Sequence, residues 1–528
     1  MIFVLISFII YNKFYHYHSK ATLMSQFFDT PALMNQLFDT SAFMFSQWLF
    51  VKFLGVTYFI AFFSLFVQMK GLYGKNGILP VSELLESVEK RSGKKEYFRL
   101  PTVFWWKCTD KMLAYTSCIG FLSGALLLAD IPYTSTLLLI ICWGLYLSFV
   151  NVGSNFLSFQ WDTLLLEVGF FAIFFSMATP PPLLLLLAIW FLLFRLIFSA
   201  GIVKILSKCP AWRSLTAFDF HYYTQPIPNK VAWYFHQFPQ ILGKVAVVAT
   251  FLIELILPFF IFSPSFLRIY AFIGIIGLML IIQISGNYAF FNFLTIVAAI
   301  PLLEDGYYQA ILGDMAIMPP SEPFFFVQVL LSIVGLGLIF LNALQLAGMF
   351  VPLGRLISVL RFAAPFHIIS GYGLFARMTT TRYEIIVEGS DDGKTWKEYE
   401  FHWKPGDLNG PLRQAAPHQP RLDWQMWFAA LGKYEQNPWY TRFLVRLLEG
   451  SKDVTNLLKT NPFQHHPPKY IRGSFYEYHF TNIDERVDSG NCWKREHKGL
   501  YSPVFSLPEE KRPKAKDPEE TSSTTTEL

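Results

Sequence analysis

The sequence predicts a polytopic α-helical membrane protein of about eight or nine transmembrane helices, ending in a C-terminal β-rich α+β domain. Three observations carry this expectation. Of the 528 residues, 53% are hydrophobic and 18% aromatic, while Asp, Glu, Lys and Arg make up 15%, against roughly 25% in an ordinary soluble protein. Several apolar runs approach the roughly 20 residues that a helix needs to cross a bilayer. These runs stop near residue 350, beyond which the composition becomes that of a soluble domain.

Residues 1–45 read as an N-terminal segment. Its first run, "MIFVLISFII", is short for a span, and no small-residue cleavage site follows it. A ten-residue tandem repeat comes next, "MSQFFDTPAL" then "MNQLFDTSAF", in units too short for a solenoid. Residues 46–350 form the multi-pass membrane domain, with candidate spans at about 46–68, 113–129, 134–150, 163–179, 183–206, 243–263, 268–285, 287–303 and 323–347. With the first span entering from the cytosol, alternation puts loops 70–112, 151–162 and 207–242, and everything after 348, on the opposite side. Positive charge does not set the orientation, because long loops are exempt from the positive-inside rule.

Residues 351–377 are amphipathic and are expected to lie along the interface. Residues 378–505 form the soluble domain. "RYEIIVEG" and "WKEYEFHW" flank "SDDGKT", a strand, turn and strand pattern. Tyr399, Phe401 and Trp403 then alternate onto one face. "LDWQMWFAALGKY" and "PWYTRFLVRLLEG" have helical periodicity, and "KYIRGSFYEYHFT" reads as a closing strand. The charged tail, 506–528, is poor in apolar residues and expected to be disordered.

Polar groups inside the apolar runs are the strongest site signal. An Arg near a span's centre is unfavourable by about 2.5–3.5 kcal/mol on insertion scales, so Arg195 needs a protein partner. Glu254 is the natural choice. At 1.5 Å per residue, both lie roughly 16 Å below the surface that carries loop 207–242, which predicts an interhelical ion pair. Such a pair reads as a structural bridge or, alternatively, as part of a proton or ion path. Asp162 falls at a helix start, where a carboxylate caps free N–H groups. Gln160 and Glu167, seven residues apart, share a face with each other where the helix begins early. Together the three form either a capped helix held by its neighbours or a polar pocket at the far membrane face.

Other constellations are weaker. The net charge of +5 and the lack of a basic, aromatic-interleaved patch argue against nucleic acid. The five cysteines form no metal-binding spacing. "FDFHYYTQ" puts Asp219 beside His221 and Tyr222, an acid and a His without a nucleophile motif. His465 and His466 lack further ligands at metal spacing. "GSDDGKTW" echoes turns of carbohydrate-binding β domains but fits a plain hairpin turn. No nucleotide-binding motif is present.

In order along the chain stand "GLYGKNGILP", "FQWDTLLLEVGF", "LFRLIFSAGIVKILSKCPAW", "LTAFDFHYYTQPIPN", "GNYAFFNFLT", "GYGLFARMT", "VEGSDDGKTWKEYEFHWKPG", "PHQPRLDWQMWFAALG" and "NPFQHHPPKYIR". Taken together, these segments resemble the lipase maturation factor family over roughly residues 45 to 505. The stretch 304–355 is shorter than in close relatives, and the N-terminal repeat has no counterpart. The resemblance implies a multi-pass protein of the endoplasmic reticulum membrane with its C-terminal domain in the lumen. Such a protein helps secreted clients, dimeric lipases such as lipoprotein lipase, to fold and assemble. It implies no cofactor and no catalytic residue. Arg421, Asp423, Trp424 and Trp427, with Asp219, His221 and Tyr222, are then the expected client-binding surfaces, since interfaces favour Tyr, Trp and Arg. The family's core is also similar to the membrane domain of vitamin K-dependent carboxylase. This leaves a second reading, an enzyme acting on a lipid, quinone or protein, with Gln160, Asp162, Glu167 and His221 as its site.

Overall fold

The computed structural model describes residues 40–511 apart from 93–95, 130, 132 and 320–323. All but the end of the N-terminal repeat, and the tail beyond 511, lie outside the described residues. The membrane domain runs through α1 (Met44–Phe66), α2 (Asp110–Leu126), α3 (Ser135–Val152), α4 (Gln160–Phe175) and α5 (Leu183–Leu206). A loop helix, α6 (Ala217–Thr224), precedes α7 (Gln240–Phe251), α8 (Ser265–Ser285), α9 (Phe291–Ala299) and α10 (Phe325–Ala347). α7 continues as a π-helical stretch, Leu252–Ile256, and a 3-10 stretch, Leu257–Phe262. Among the described residues seven helices are long and apolar enough to cross a membrane: α1, α2, α3, α5, the extended α7, α8 and α10. The chain is a multi-pass membrane protein.

The expected fourth and eighth spans are shorter helices inside the bundle. Twelve of the sixteen residues of α4 are buried, because α1, α3, α5 and α9 all pack on it. A helix enclosed by protein need not match the bilayer's thickness, and it can hold polar groups that lipid would reject. Small residues allow the close contacts. A Cβ on Gly55 would come within 2.8 Å of the Gly124 carbonyl, and one on Gly124 within 2.7 Å of Phe59 N, so α1 and α2 meet through a glycine contact. At the near end, Asp305 accepts from Phe45 N and Ser46 N at 2.8 and 3.0 Å, satisfying free donors in the first turn of α1.

Loops 70–112, 151–162 and 207–242 meet the C-terminal domain at the far end. Gln68 Nε2 donates to Gln419 O at 2.8 Å, Arg446 Nε to Gly77 O at 2.9 Å and Arg382 Nη2 to Pro226 O at 2.9 Å. That domain is an antiparallel sheet of β1 (Arg382–Ser390), β2 (Lys397–Glu398), β3 (Tyr470–Phe480) and β4 (Trp493–Phe505), in the order β2-β1-β3-β4. Two helices cover it, α11 (Arg421–Ala430) against β1 and α12 (Pro438–Leu448) against β3. α12 buries Trp439, Tyr440, Phe443, Leu444, Leu447 and Leu448, an apolar stripe at helical spacing. The turn after β1 forms because Asp392 Oδ1 accepts from Lys394 N and Thr395 N at 2.8 and 2.7 Å, with Gly393 at φ 70°. Those backbone donors hold its carboxyl well below the usual range.

Candidate functional site

The linker between the domains is the first determinant of the site. Only its early part carries the exposed apolar residues expected of an interfacial segment, including Leu356, Ile357, Val359 and Phe362. From residue 364 to 379 it becomes a strap across the far end of the bundle. Trp212 Nε1 donates to Phe375 O at 2.9 Å, Ser207 Oγ to Ala376 O at 2.5 Å, and Gly373 N to Gln160 Oε1 at 3.3 Å. Phe375 takes a left-handed φ of 55°, a cost that these anchors hold in place.

Beneath the strap lies one buried ion cluster. Glu167 accepts from Arg195, from Ser370 N at 3.0 Å and from the Tyr372 hydroxyl at 2.6 Å. Arg195 also donates to Asn342 Oδ1 at 2.9 Å and lies over the Tyr372 ring. The expected pairing of Arg195 with Glu254 is therefore corrected. Glu254 is held instead by Lys204, whose Nζ stands 2.8 and 2.6 Å from its two oxygens. The depth count misplaced them because the first turns of α7 rise beside α6, so α7 starts well beyond the end of α5. The mismatch is nine residues of α5, about 13 Å.

A second cluster locks the C-terminal domain to the bundle. Arg421 reaches from α11 to Asp162 at the start of α4, with Nη1 3.0 Å from Oδ2 and Nη2 2.9 Å from Oδ1. Its Nη1 also donates to Phe156 O at 2.6 Å, and the Tyr146 hydroxyl donates to Asp162 Oδ1 at 2.5 Å. Neither ionic side chain is exposed at all. Asp162 thus makes no side-chain cap on its own helix; a bidentate, charge-assisted pair takes its oxygens instead. Burial lowers the pKa of Arg421, and the Asp162 carboxylate with the Tyr146 and Tyr73 hydroxyls together more than reverse this.

The client-surface expectation for α11 is corrected with it. Arg421, Asp423 and Trp424 are 0%, 3% and 4% exposed. Asp423 accepts from Trp403 N and Lys404 N at 2.8 and 2.9 Å. Trp427 is partly exposed, with its Nε1 donating to Thr224 O at 2.9 Å. A polar, aromatic helix looks like a surface element in the sequence, but here its polar groups have partners in distant segments.

Beside these locks the seam stays open as a cavity of about 530 Å³. α4 supplies Gln160 and Trp161, α6 supplies His221 and Thr224, and the strap supplies residues 373–379. Tyr288 and the α11 residues Trp424, Gln425, Trp427 and Phe428 complete the wall. Aromatic rings dominate it: Phe159 stacks on Trp161 at 4.7 Å, Trp161 meets Trp424 edge-on at 4.9 Å, and Phe375 meets Tyr288 at 5.5 Å. Burial, then the positive Lys204, pulls the His221 pKa down to about 4, so its imidazole is neutral at pH 7. His221 Nε2 lies 3.4 Å from the Tyr288 hydroxyl. Residues two apart on a helix do not face each other, and Asp219 is outside the cavity. Tyr222 stacks on Phe218 and abuts Phe235.

Of the sequence candidates, the cavity therefore gathers Gln160, His221, Trp424 and Trp427. Asp162, Glu167, Arg195 and Arg421 are instead engaged in the two locks, which divides the four residues of the enzymatic reading between different sites. Tyr288, Ser370, Tyr372, Phe375, Arg377 and Lys204 were not singled out in the sequence. The Gly- and aromatic-rich "GYGLFARMT" carried the local signal for three of them, Tyr372, Phe375 and Arg377. Among the described residues no group of three or more His, Cys, Asp or Glu is placed to hold a metal ion.

Two family models match the chain: the lipase maturation factor transmembrane domain over residues 45–310 and the lipase maturation factor C-terminal domain over residues 368–503. Lipase maturation factor 2 of Gallus gallus is 34% identical, covering 87% of this chain and 81% of its own length. The Homo sapiens protein of that name is 32% identical over 87% of this chain and 82% of its own. Lipase maturation factor 1 of Homo sapiens is 32% identical over 92% of both. No solved structure matches the chain.

Proposed function

The chain belongs to the lipase maturation factor family, and on that premise we propose that it is a non-catalytic maturation factor of the endoplasmic reticulum membrane, assisting folding and assembly of secreted dimeric lipases. The observation that carries the reading is that the family match runs through both domains and across the seam that locks them together. A domain fixed to a membrane bundle by a buried ion pair, Arg421 with Asp162, is a platform, able to hold a partly folded client beside the bilayer from the lumenal side. Client contact falls to residues of the C-terminal domain that remain exposed: Leu431, Ile483, Val487, Leu500 and Val504.

The test is rescue. Expression of this chain with lipoprotein lipase in cells lacking their own lipase maturation factors is expected to raise secreted lipase activity per unit of lipase mass. Unchanged specific activity, with the chain abundant in the endoplasmic reticulum membrane, overturns the reading for that lipase.

A further inference from the structure

The seam cavity carries an inference that stands apart from the client proposal. Its lining contains one formal charge at neutral pH, the guanidinium of Arg377 on the strap; no Asp or Glu lines it, and His221 is neutral there. Arg377 is exposed and makes no ion pair among the described residues. The wall otherwise combines aromatic rings with neutral polar side chains, and its volume of about 530 Å³ lies within the range of small-ligand sites.

Several of the wall's side-chain donors are already engaged, while the Trp161 and Trp424 indole N–H groups are buried without a partner among the described residues. Trp427 donates to Thr224 O, Gln425 to Asn155 O, Gln225 to Ser285 O and Asn437 to Lys433 O. A peptide threaded through such a wall would leave its own N–H and C=O groups unpaired, at a cost. A ligand with a long apolar body and one negative end has no such difficulty. The cavity also sits where the bundle ends: α4 begins in it at Gln160, and Gln225, on its wall, bonds the last residue of α8, Ser285. That is the level at which an amphiphile in the bilayer places its head beside its tail.

We infer that the cavity is a binding site for a single-chain anionic amphiphile, a long-chain fatty acid. The alkyl chain packs among Trp161, Trp424, Phe428 and Phe375, and the carboxylate pairs with Arg377 at the rim. A charge-assisted contact of this kind is selective for the ionised head. Removing alkyl carbons weakens binding by up to about fourfold per methylene until the chain no longer fills the site.

The experiment uses the full chain in phosphatidylcholine nanodiscs, with empty discs as the partition control. Palmitate brominated at its terminal carbon is titrated while tryptophan fluorescence is read, since bromine quenches indoles only at contact. Expected are saturable quenching at one palmitate per chain, displacement by unlabelled palmitate, and binding of hexadecanol at least about tenfold weaker. Arg377→Gln, a change at an exposed position, is expected to weaken palmitate about tenfold and leave hexadecanol unaffected. Quenching no greater than partition, equal binding of acid and alcohol, or an Arg377→Gln variant that binds palmitate normally would each overturn the assignment. No lipase is present, so its failure and the failure of the maturation reading are separate results.

Discussion

The two halves of the seam treat charge in opposite ways. In the closed half, four ionic side chains are almost wholly excluded from water, and each has its counter-ion in place: Asp162 with Arg421 and Glu167 with Arg195. In the open half, the cavity carries a single cation among aromatic walls. The difference separates two jobs within one interface. The Asp162–Arg421 pair fixes where the C-terminal domain sits, because a charge there tolerates one partner geometry, and Glu167, paired with Arg195 inside the bundle, holds the strap through Ser370 and Tyr372. An apolar wall with one unmatched charge fixes nothing and is left able to bind.

The sharpest way to break the closed half is to remove one ion and leave the other. Arg421→Met strands the Asp162 carboxylate in the interior, and loss of one member of a buried pair costs about 3–5 kcal/mol. The expected result is a lower thermal unfolding midpoint in detergent and faster proteolysis at the strap. Asp162→Asn combined with Arg421→Met should recover most of that loss, since replacing both members is often close to neutral. Equal damage in the single and double variants would show that the pair is not what holds the domain.

Packing of α4 within the closed half offers a second, smaller break. A Cβ on Gly169 would stand 1.8 Å from the Tyr58 hydroxyl oxygen, whereas the next ring atom is 3.0 Å away. Gly169→Ala is expected to destabilise by about 1–3 kcal/mol, as overpacked cores do. Tyr58→Phe removes the colliding atom and should restore much of the loss in the double variant. The readout is the same unfolding midpoint.

How much of this was legible in the sequence divides along the same line. The long spans could be read, because a helix facing lipid must be apolar throughout. α4 was counted as a membrane span and α9 was overextended, because nothing in a local window says whether lipid or protein surrounds a helix. The sheet was legible at β1 and β3, which are rich in Ile, Val, Tyr and Phe and stand beside turn residues. β4 was missed: "WKREHKGLYSPVF" is charged along its first half, contains Pro503, and pairs with β3 through register shifts. Among site residues, the need for partners at Asp162, Glu167, Arg195 and Glu254 followed from the energetics of charge in hydrocarbon. The partners did not, because Arg421 is 259 positions from Asp162 and Tyr372 is 205 from Glu167. Lys204 is nearer to Glu254 but stands in the last turn of α5, where a cation needs no special explanation.

The open half has a pH signature. Burial, with positive neighbours second, depresses both His221 and His418 to about 4 from 6.5. The unfolded chain binds these protons more readily than the folded one. Stability is therefore fully present above about pH 6.5, falls as pH drops toward 4, and levels off below that. His221→Gln should reduce the proton uptake on unfolding in this window by up to one. His418 lies outside the cavity, so His418→Gln gives the control slope. Denaturant unfolding at stepped pH measures both.

The smallest expected effect tests whether Trp427 belongs to the wall or to the lock. Its indole bonds Thr224 O and so ties α11 to α6, while its ring lines the cavity. Trp427→Phe keeps an aromatic surface and removes the donor, for a loss of about 1 kcal/mol, the usual net value of one such bond. If the residue serves mainly as wall, palmitate quenching should persist with reduced amplitude, because one indole fewer reports it, while the affinity changes little. If the bond holds the α11–α6 spacing, affinity falls together with stability, and the two halves of the seam are mechanically one. Measuring the unfolding midpoint and the palmitate titration on the same preparation distinguishes these outcomes.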